Sequence, residues 1–367
     1  MNKKNSLFFK GLFMSLFLLA VLTILLPAKT VSPTENRVLA QRPVLTAERI
    51  ANGSFQTQLS NFLSDQIPFR TGWIRLNTVV KKAMGRRKIN GVYLGDDHRY
   101  FSAFTDDDYA SSRMLSVFRM LEAFQQEAGI PASVMLVPSP GTILAEDLPN
   151  HAPYYDAEPV YAAAKQLLSC DVLDLRQIFA DSDTDLYYHT DHHWTTRGAE
   201  LAYAAYAEAA GLPRRSFALQ SVSDSFFGTL DSRVLDPAAV PDSIEAMELS
   251  GPVRITFGDG STADSPYFTE KLAEKDQYSY FFGGNHGIVT IETDAGTGKN
   301  LLVLKDSFAN SFVPFLFVDY SKIVLLDLRY FDGSAAETVR QEQITDLLVL
   351  YETSNFLTDS GILNLQK

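Results

Sequence analysis

The chain has 367 residues, with 32 Lys and Arg against 44 Asp and Glu, a formal net charge of −12 and 46% hydrophobic residues. That is length and apolar content for one large or two ordinary domains with a full core, and it excludes a disordered, collagenous or coiled-coil chain. The acidic balance, read with no basic cluster in the body of the chain, disfavours a nucleic-acid partner. The lone Cys170 excludes a disulfide framework and multi-cysteine zinc patterns, so a metal would need His, Asp or Glu ligands.

Lys3 and Lys4 precede an apolar run from Leu7 to Leu26, broken by charged Lys10 and polar Ser15 and closed by Pro27. This reads as a membrane-seeking helix about as long as a bilayer core is thick. Residues 1–29 are therefore expected to be an N-terminal signal anchor or signal peptide. The anchor is favoured because Pro27-Ala28-Lys29-Thr30 offers no small-x-small cleavage pattern. The lysines stay cytoplasmic and the remainder is extracytoplasmic, or secreted if the leader is cleaved.

Residues 30–50 read as an extended stalk. Phe55, Leu59, Phe62 and Leu63 then fall at helical spacing, and a second helix is predicted over 112–128, stopped by Gly129 and Pro131. The period changes at Ser133–Val137, a short apolar run that fits a buried strand. A helix over 159–168, a strand over 172–175 and a helix over 196–210 follow. Further strands are predicted over 301–304, 322–326 and 347–350, with a helical stretch over 308–317. Strand alternating with helix implies a mostly parallel sheet covered on both faces, an α/β doubly wound layer architecture. Between about 214 and 300 the runs Val253–Phe257, Tyr278–Phe282 and Ile288–Glu292 are separated by glycine turns and read as a β-rich insertion in a domain spanning 51–367.

Three places can carry chemistry. Ser307 follows a strand and opens a helix, which suits a nucleophile near free backbone N–H groups, although by this element alone an N-cap is the commoner role. Tyr187 to Thr196 holds His189, Asp191, His192 and His193, three of the six histidines. A nucleophilic serine needs an imidazole base, and the base needs a carboxylate to hold its tautomer, so Asp-x-His can supply both. The same four residues are competent metal ligands, although their spacing matches no familiar zinc motif, and no metal or cofactor is expected. Gly283-Gly284-Asn285-His286 can present oxyanion donors or make a hairpin turn, with His286 a spare base. Asp294 to Lys299 lacks phosphate-loop order and is set aside.

At Thr190-Asp191-His192-His193-Trp194-Thr195, followed by Gly198-Ala199, the chain resembles the DHHW family of exported bacterial proteins. That family is similar to the SGNH-hydrolase-like proteins of polysaccharide O-acetylation of the AlgX and AlgJ type. Glu35-Asn36-Arg37, Asp65 to Arg70, Gly283 to His286, Lys305-Asp306-Ser307-Phe308 and Asp327 to Tyr330 agree with it. The resemblance implies an SGNH-hydrolase-like three-layer α/β sandwich and a catalytic set of Asp191, His193 and Ser307. It implies transfer of an acyl group, acetyl above all, to a polysaccharide, with the acyl donor supplied by a membrane-bound O-acyltransferase. Phe308 N–H, Asn285 and Gly284 are then oxyanion or substrate candidates, Lys305 can orient Asp306 or a substrate or simply cap the strand end, and Trp194 and Tyr330 can stack on a sugar, although aromatic residues at such positions are more often core. The serine follows the Asp-His pair in the chain, and Pro138-Ser139-Pro140 carries serine where relatives often have lysine. A carbohydrate esterase with the same triad and a non-catalytic polysaccharide-binding or assembly protein are the alternatives.

Overall fold

The computed structural model describes residues 3–366 and divides into two compact units, Met1–Ile89 with Asp231–Ala239, and Asn90–Leu230 with Val240–Lys367. The division differs from the sequence reading, which begins the main domain at residue 51. The first two residues of the predicted leader and the last residue of the chain lie outside the described residues.

The first unit begins with a helix, Lys3–Leu25, whose segment Leu7–Leu25 is long and apolar enough to cross a membrane. Residues 30–50 are not an extended stalk. Val31–Ser32 pairs antiparallel with Arg37–Val38, and a short helix covers Ala47–Ala51. The cause is electrostatic: Arg37 reaches Glu35 at 3.2 Å and Asp65 at 2.6 Å, while Arg70 reaches Glu35 at 2.8 Å, which folds the segment back on itself. Helix Ser54–Gln66 stands where its apolar period predicts, and a further helix, Arg70–Ala83, adds to the sequence reading.

The second unit is built on an eight-stranded sheet. Its strands are β1 (Ala132–Val137), β2 (Asp171–Asp174), β3 (Val253–Phe257), β4 (Thr262–Ala263), β5 (Ile288–Thr293), β6 (Asn300–Lys305), β7 (Lys322–Leu326) and β8 (Asp346–Glu352), in spatial order β4-β3-β5-β7-β6-β8-β1-β2. The five strands from β7 to β2 are parallel, and β5, β3 and β4 extend them antiparallel. The predicted β-rich insertion thus lends β3, β4 and β5 to the main sheet, while Leu219–Phe226 and Asp242–Met247 form a separate hairpin. Tyr278–Phe282 is a correction: Gln277–Tyr280 is a 3-10 turn, because the buried Tyr278 side chain is held by Ser307 and Ser311 rather than by a strand neighbour.

The period-2 alternation of the apolar strands sends their side chains to opposite faces. Val303, Leu325 and Leu350 pack with Trp194, Phe308 and Phe312 on one face. Leu302, Leu304, Val324 and Val349 pack with Val117, Phe118 and Leu121 of helix Ser111–Ala128 on the other. From β6 the chain passes to β7 on one side and returns as β8 on the other, so strand order reverses there. In open α/β sheets such a switch point, at the carboxyl ends of the strands, is where ligands bind.

Candidate active site

Ser307 lies two residues beyond β6, at that switch point. The loop that meets it, His189–Trp194, is held from below by Asp242, whose carboxylate accepts from the N–H groups of His189 (2.7 Å) and Thr190 (2.8 Å) and from Thr190 Oγ1 (2.6 Å). Trp194 locks the other end, its indole N–H donating to Phe308 O and Ser311 Oγ, both at 2.9 Å.

These anchors bring three side chains into line. His193 Nε2 is 2.7 Å from Ser307 Oγ, and His193 Nδ1 is 2.5 Å from Asp191 Oδ1. Asp191 Oδ1 also accepts from His193 N–H at 3.0 Å, and Oδ2 accepts from the N–H and hydroxyl of Thr229 at 2.7 and 2.9 Å. Gly228 permits that approach, since a Cβ there would stand 2.2 Å from Asp191 Cβ. The His193 ring stacks on Tyr278 with centroids 3.8 Å apart and planes 11° from parallel, and Tyr278 donates to Ser307 O at 3.1 Å. All three members of the line are buried, leaving Ser307 8%, His193 5% and Asp191 1% exposed. Burial alone would raise the Asp191 pKa, but the two imidazoles and the donated hydrogen bonds outweigh it and hold it well below the carboxylate range. His192 bonds Thr229 Oγ1 at 2.7 Å, and desolvation and His193 push its pKa down to about 4.

A second cluster lies behind the serine. Asp306 accepts from Phe308 N–H (2.9 Å), Glu352 N–H (3.0 Å) and Asn355 Nδ2 (2.8 Å), yet desolvation, joined by the charge of Glu352, raises its pKa to about 6. Ser139, in the position noted above for its departure from lysine, donates to Glu352 Oε1 and bonds Tyr155 Oη at 2.7 Å. Buried Lys305 donates to Asn310 Oδ1 at 2.6 Å and to Asn285 Oδ1 at 3.4 Å, and stands 3.9 Å from Asp327. Burial lowers its pKa to about 8 against the pull of Asp327.

The other predicted residues distribute unevenly. The Phe308 N–H, expected to meet an oxyanion, is committed to Asp306, whereas Ser307 N–H has no acceptor among the described residues. Trp194 is a correction: it is wholly enclosed and bonded, a core residue rather than a sugar platform. Tyr330 is 58% exposed, with the Arg329 guanidinium 5.4 Å from its ring centroid. Gly284, at φ 118°, shapes the turn that carries Asn285, and Asn285 Oδ1 accepts from both Lys305 and Asn310 Nδ2. His286 is bonded to Phe282 O and takes no part in the line. His189 is turned to Arg99 and Asp242. Asp191, His192 and His193 place ligand-capable atoms within 4.8 Å of one another, but a cation there would have to replace the Asp191–His193 and His192–Thr229 bonds. Sequence reading missed Thr229, Tyr278 and Asp242. Only Gly228, a small residue before a polar one, is a local signal for any of them.

The fold is of the SGNH-hydrolase-like α/β kind. The model of the SGNH hydrolase-like domain of acetyltransferase AlgX matches residues 98–235, a stretch that contains Asp191 and His193 but ends before Ser307. A DHHW family protein from Eubacterium siraeum is similar over 76% of this chain and 96% of its own, at 24% identity and a TM-score of 0.65. Bacillus cereus PatB1, in a structure with a sulfonyl adduct, is similar over 74% of this chain and 97% of its own, at 22% identity and a TM-score of 0.62. Comparison with curated proteins finds no match. The chain thus resembles DHHW and AlgX-type proteins, and at these identities the structural likeness is one of fold.

Proposed function

We propose that this chain is an extracytoplasmic O-acyltransferase that places an acyl group, acetyl above all, on a cell-surface or secreted polysaccharide through an acyl-Ser307 intermediate. The observation that carries the reading is the unbroken hydrogen-bond line from Ser307 through His193 to Asp191. The partial match to the domain model of acetyltransferase AlgX and the apolar N-terminal helix support it.

In this mechanism His193 Nε2 takes the Ser307 proton as Oγ bonds to the acyl carbonyl carbon. Asp191 holds the Nδ1 proton in place and compensates the imidazolium. The oxyanion is met by Ser307 N–H and by Asn285 Nδ2, the donor left outward once Lys305 and Asn310 hold its Oδ1. Collapse breaks the bond to the donor's oxygen, which leaves with the proton from His193. A sugar hydroxyl, giving its proton to His193, then attacks the acyl-serine, and Ser307 recovers that proton as it leaves. On this reading the acyl donor is supplied by a membrane-bound O-acyltransferase.

The test is intact-mass spectrometry after incubation with an activated acetyl ester. Wild type should gain one acetyl group, Ser307→Ala none, and His193→Ala should label slowly. A sulfonyl fluoride, suggested by the adduct in PatB1, should block the same residue. Adduct that passes to an oligosaccharide identifies the transferase, and adduct that only hydrolyses identifies an esterase. No adduct with either reagent, together with retained polysaccharide binding in Ser307→Ala, would sink the catalytic reading.

A further inference from the structure

Helix Arg70–Ala83 is amphipathic in the inverted sense. Phe69, Trp73, Leu76, Val80 and Met84 recur at i, i+4, i+7, i+11 and i+15, a single apolar stripe along the helix and its two caps. All five face solvent, from 46% exposure at Val80 to 84% at Phe69. The opposite face is the one that packs: Thr78 is fully buried and donates to Val234 O at 2.6 Å. Phe69 has a left-handed backbone, φ 61°, a conformation that costs a bulky residue energy and here coincides with an outward ring. A contiguous exposed stripe of this kind marks a surface that something covers.

Charge says what covers it. Residues 70–88 contain seven Lys and Arg and no acid, in a chain of net charge −12. This local basic segment corrects the reading that the body of the chain has none. Arg75 on the helix and Arg86 and Arg87 just past its end are exposed.

Connectivity then says where it lies. The end of the apolar N-terminal helix is tied to the same part of the first unit. Arg42 bonds Ile24 O and Leu26 O, and the Lys29 backbone exchanges hydrogen bonds of 2.9 Å with the Gln66 side chain. Next to Gln66, Asp65 lies 3.5 Å from Arg70, the first residue of the amphipathic helix. One short chain of contacts thus joins the membrane exit to the start of the stripe.

We infer that helix Arg70–Ala83 lies in the interface of a bilayer containing anionic phospholipid. Its apolar stripe sinks among the acyl chains near the headgroups, and its basic flanks meet lipid phosphates. Apolar area plus attraction to anionic lipid is what binds interfacial helices, and an indole on the stripe suits the headgroup boundary. The helix therefore gives the first unit a second, lateral hold on the membrane besides the spanning segment. This inference does not depend on the catalytic line.

The chain has two tryptophans, and Trp194 is wholly enclosed, so Trp73 reports on the stripe. Full-length protein is reconstituted in phosphatidylcholine vesicles with and without phosphatidylglycerol, some of the lipid brominated on the acyl chain. With phosphatidylglycerol, Trp73 emission should shift to the blue and be quenched by bromolipid, and Trp73→Phe should remove most of that quenchable signal. Leu76→Glu with Val80→Glu, at two exposed positions, should restore aqueous emission while the protein stays vesicle-bound through its N-terminal helix. Ready quenching of Trp73 by aqueous acrylamide in these vesicles overturns the inference. So does shielding that tracks the protein-to-lipid ratio, which would mean that a second copy covers the stripe. Equal bromolipid quenching without phosphatidylglycerol overturns the assignment to anionic lipid.

Discussion

Asp191 reaches Ser307 through His193, and Asp306 precedes Ser307 in the chain; both carboxylates are 1% exposed, and both accept several hydrogen bonds. They are nonetheless driven in opposite directions, Asp191 well down and Asp306 up to about 6. Burial is the same, so the neighbours decide. Asp191 faces two imidazoles and the Thr229 donors, whereas Asp306 faces the Glu352 carboxylate across the carboxyl ends of β6 and β8. On the proposed reading one acid stays charged beside the base, while the other, with its pKa raised, holds backbone N–H groups next to Ser307.

If the Asp191 side is the catalytic arm, Asp191→Asn should lower acyl transfer by about 10⁴-fold, the size seen when a triad carboxylate is neutralised, while the protein remains folded. A loss of under tenfold in ester turnover would break the comparison, because Asp191 would then be no more than a loop anchor. On the other side, Asn285→Ala should cost about 10²–10³-fold in rate as one oxyanion donor is lost. Lys305→Met, which frees Asn310 as well as Asn285, should cost up to about 10²-fold. Both losses should fall on kcat with KM little changed, and a rise in KM alone would reassign the pair to substrate binding.

The smallest effect concerns stability. Unfolded, Asp306 ionises near pH 4, but in the native protein it holds its proton to about pH 6. The native state thus binds more protons across that window. This group's contribution to stability therefore falls as pH rises from about 4 to about 6, by on the order of 1–3 kcal/mol. Urea unfolding at pH 4.5 and pH 7 should show that drop in wild type relative to Asp306→Asn. Parallel curves for the two proteins would mean that Asp306 is not under strain.

Much of the fold was legible because its causes are local. Apolar runs bounded by Pro131, Pro138 and Gly129, and helices closed by Gly211 and Pro213, carry their period and punctuation in the sequence, and β1, β2, β6, β7 and β8 stand within a residue or two of their predicted bounds. The Asp-x-His pair and a serine at a strand end were legible as residue types with a chemical need for one another. Other features were not, because they depend on partners far along the chain. The stalk folds back through Arg37 and Arg70 meeting Asp65 and Glu35, and β3 and β5 join the main sheet only through a register with β7.

The sequence by itself determined the alternation of strand and helix and the apolar N-terminal helix, since each follows from spacing or composition, and the family resemblance singled out Ser307, His193 and Asp191 as candidates. Only the tertiary structure decided which N–H groups remain free and which aromatic residues are core. It sent Phe308 N–H to Asp306, sealed Trp194 beneath Phe308, laid Tyr278 against His193, and turned the stripe of Phe69 and Trp73 outward. The physical reason is that hydrogen-bond donors, buried faces and charge states are settled by competition among groups remote in sequence, and that competition exists only once the chain has packed.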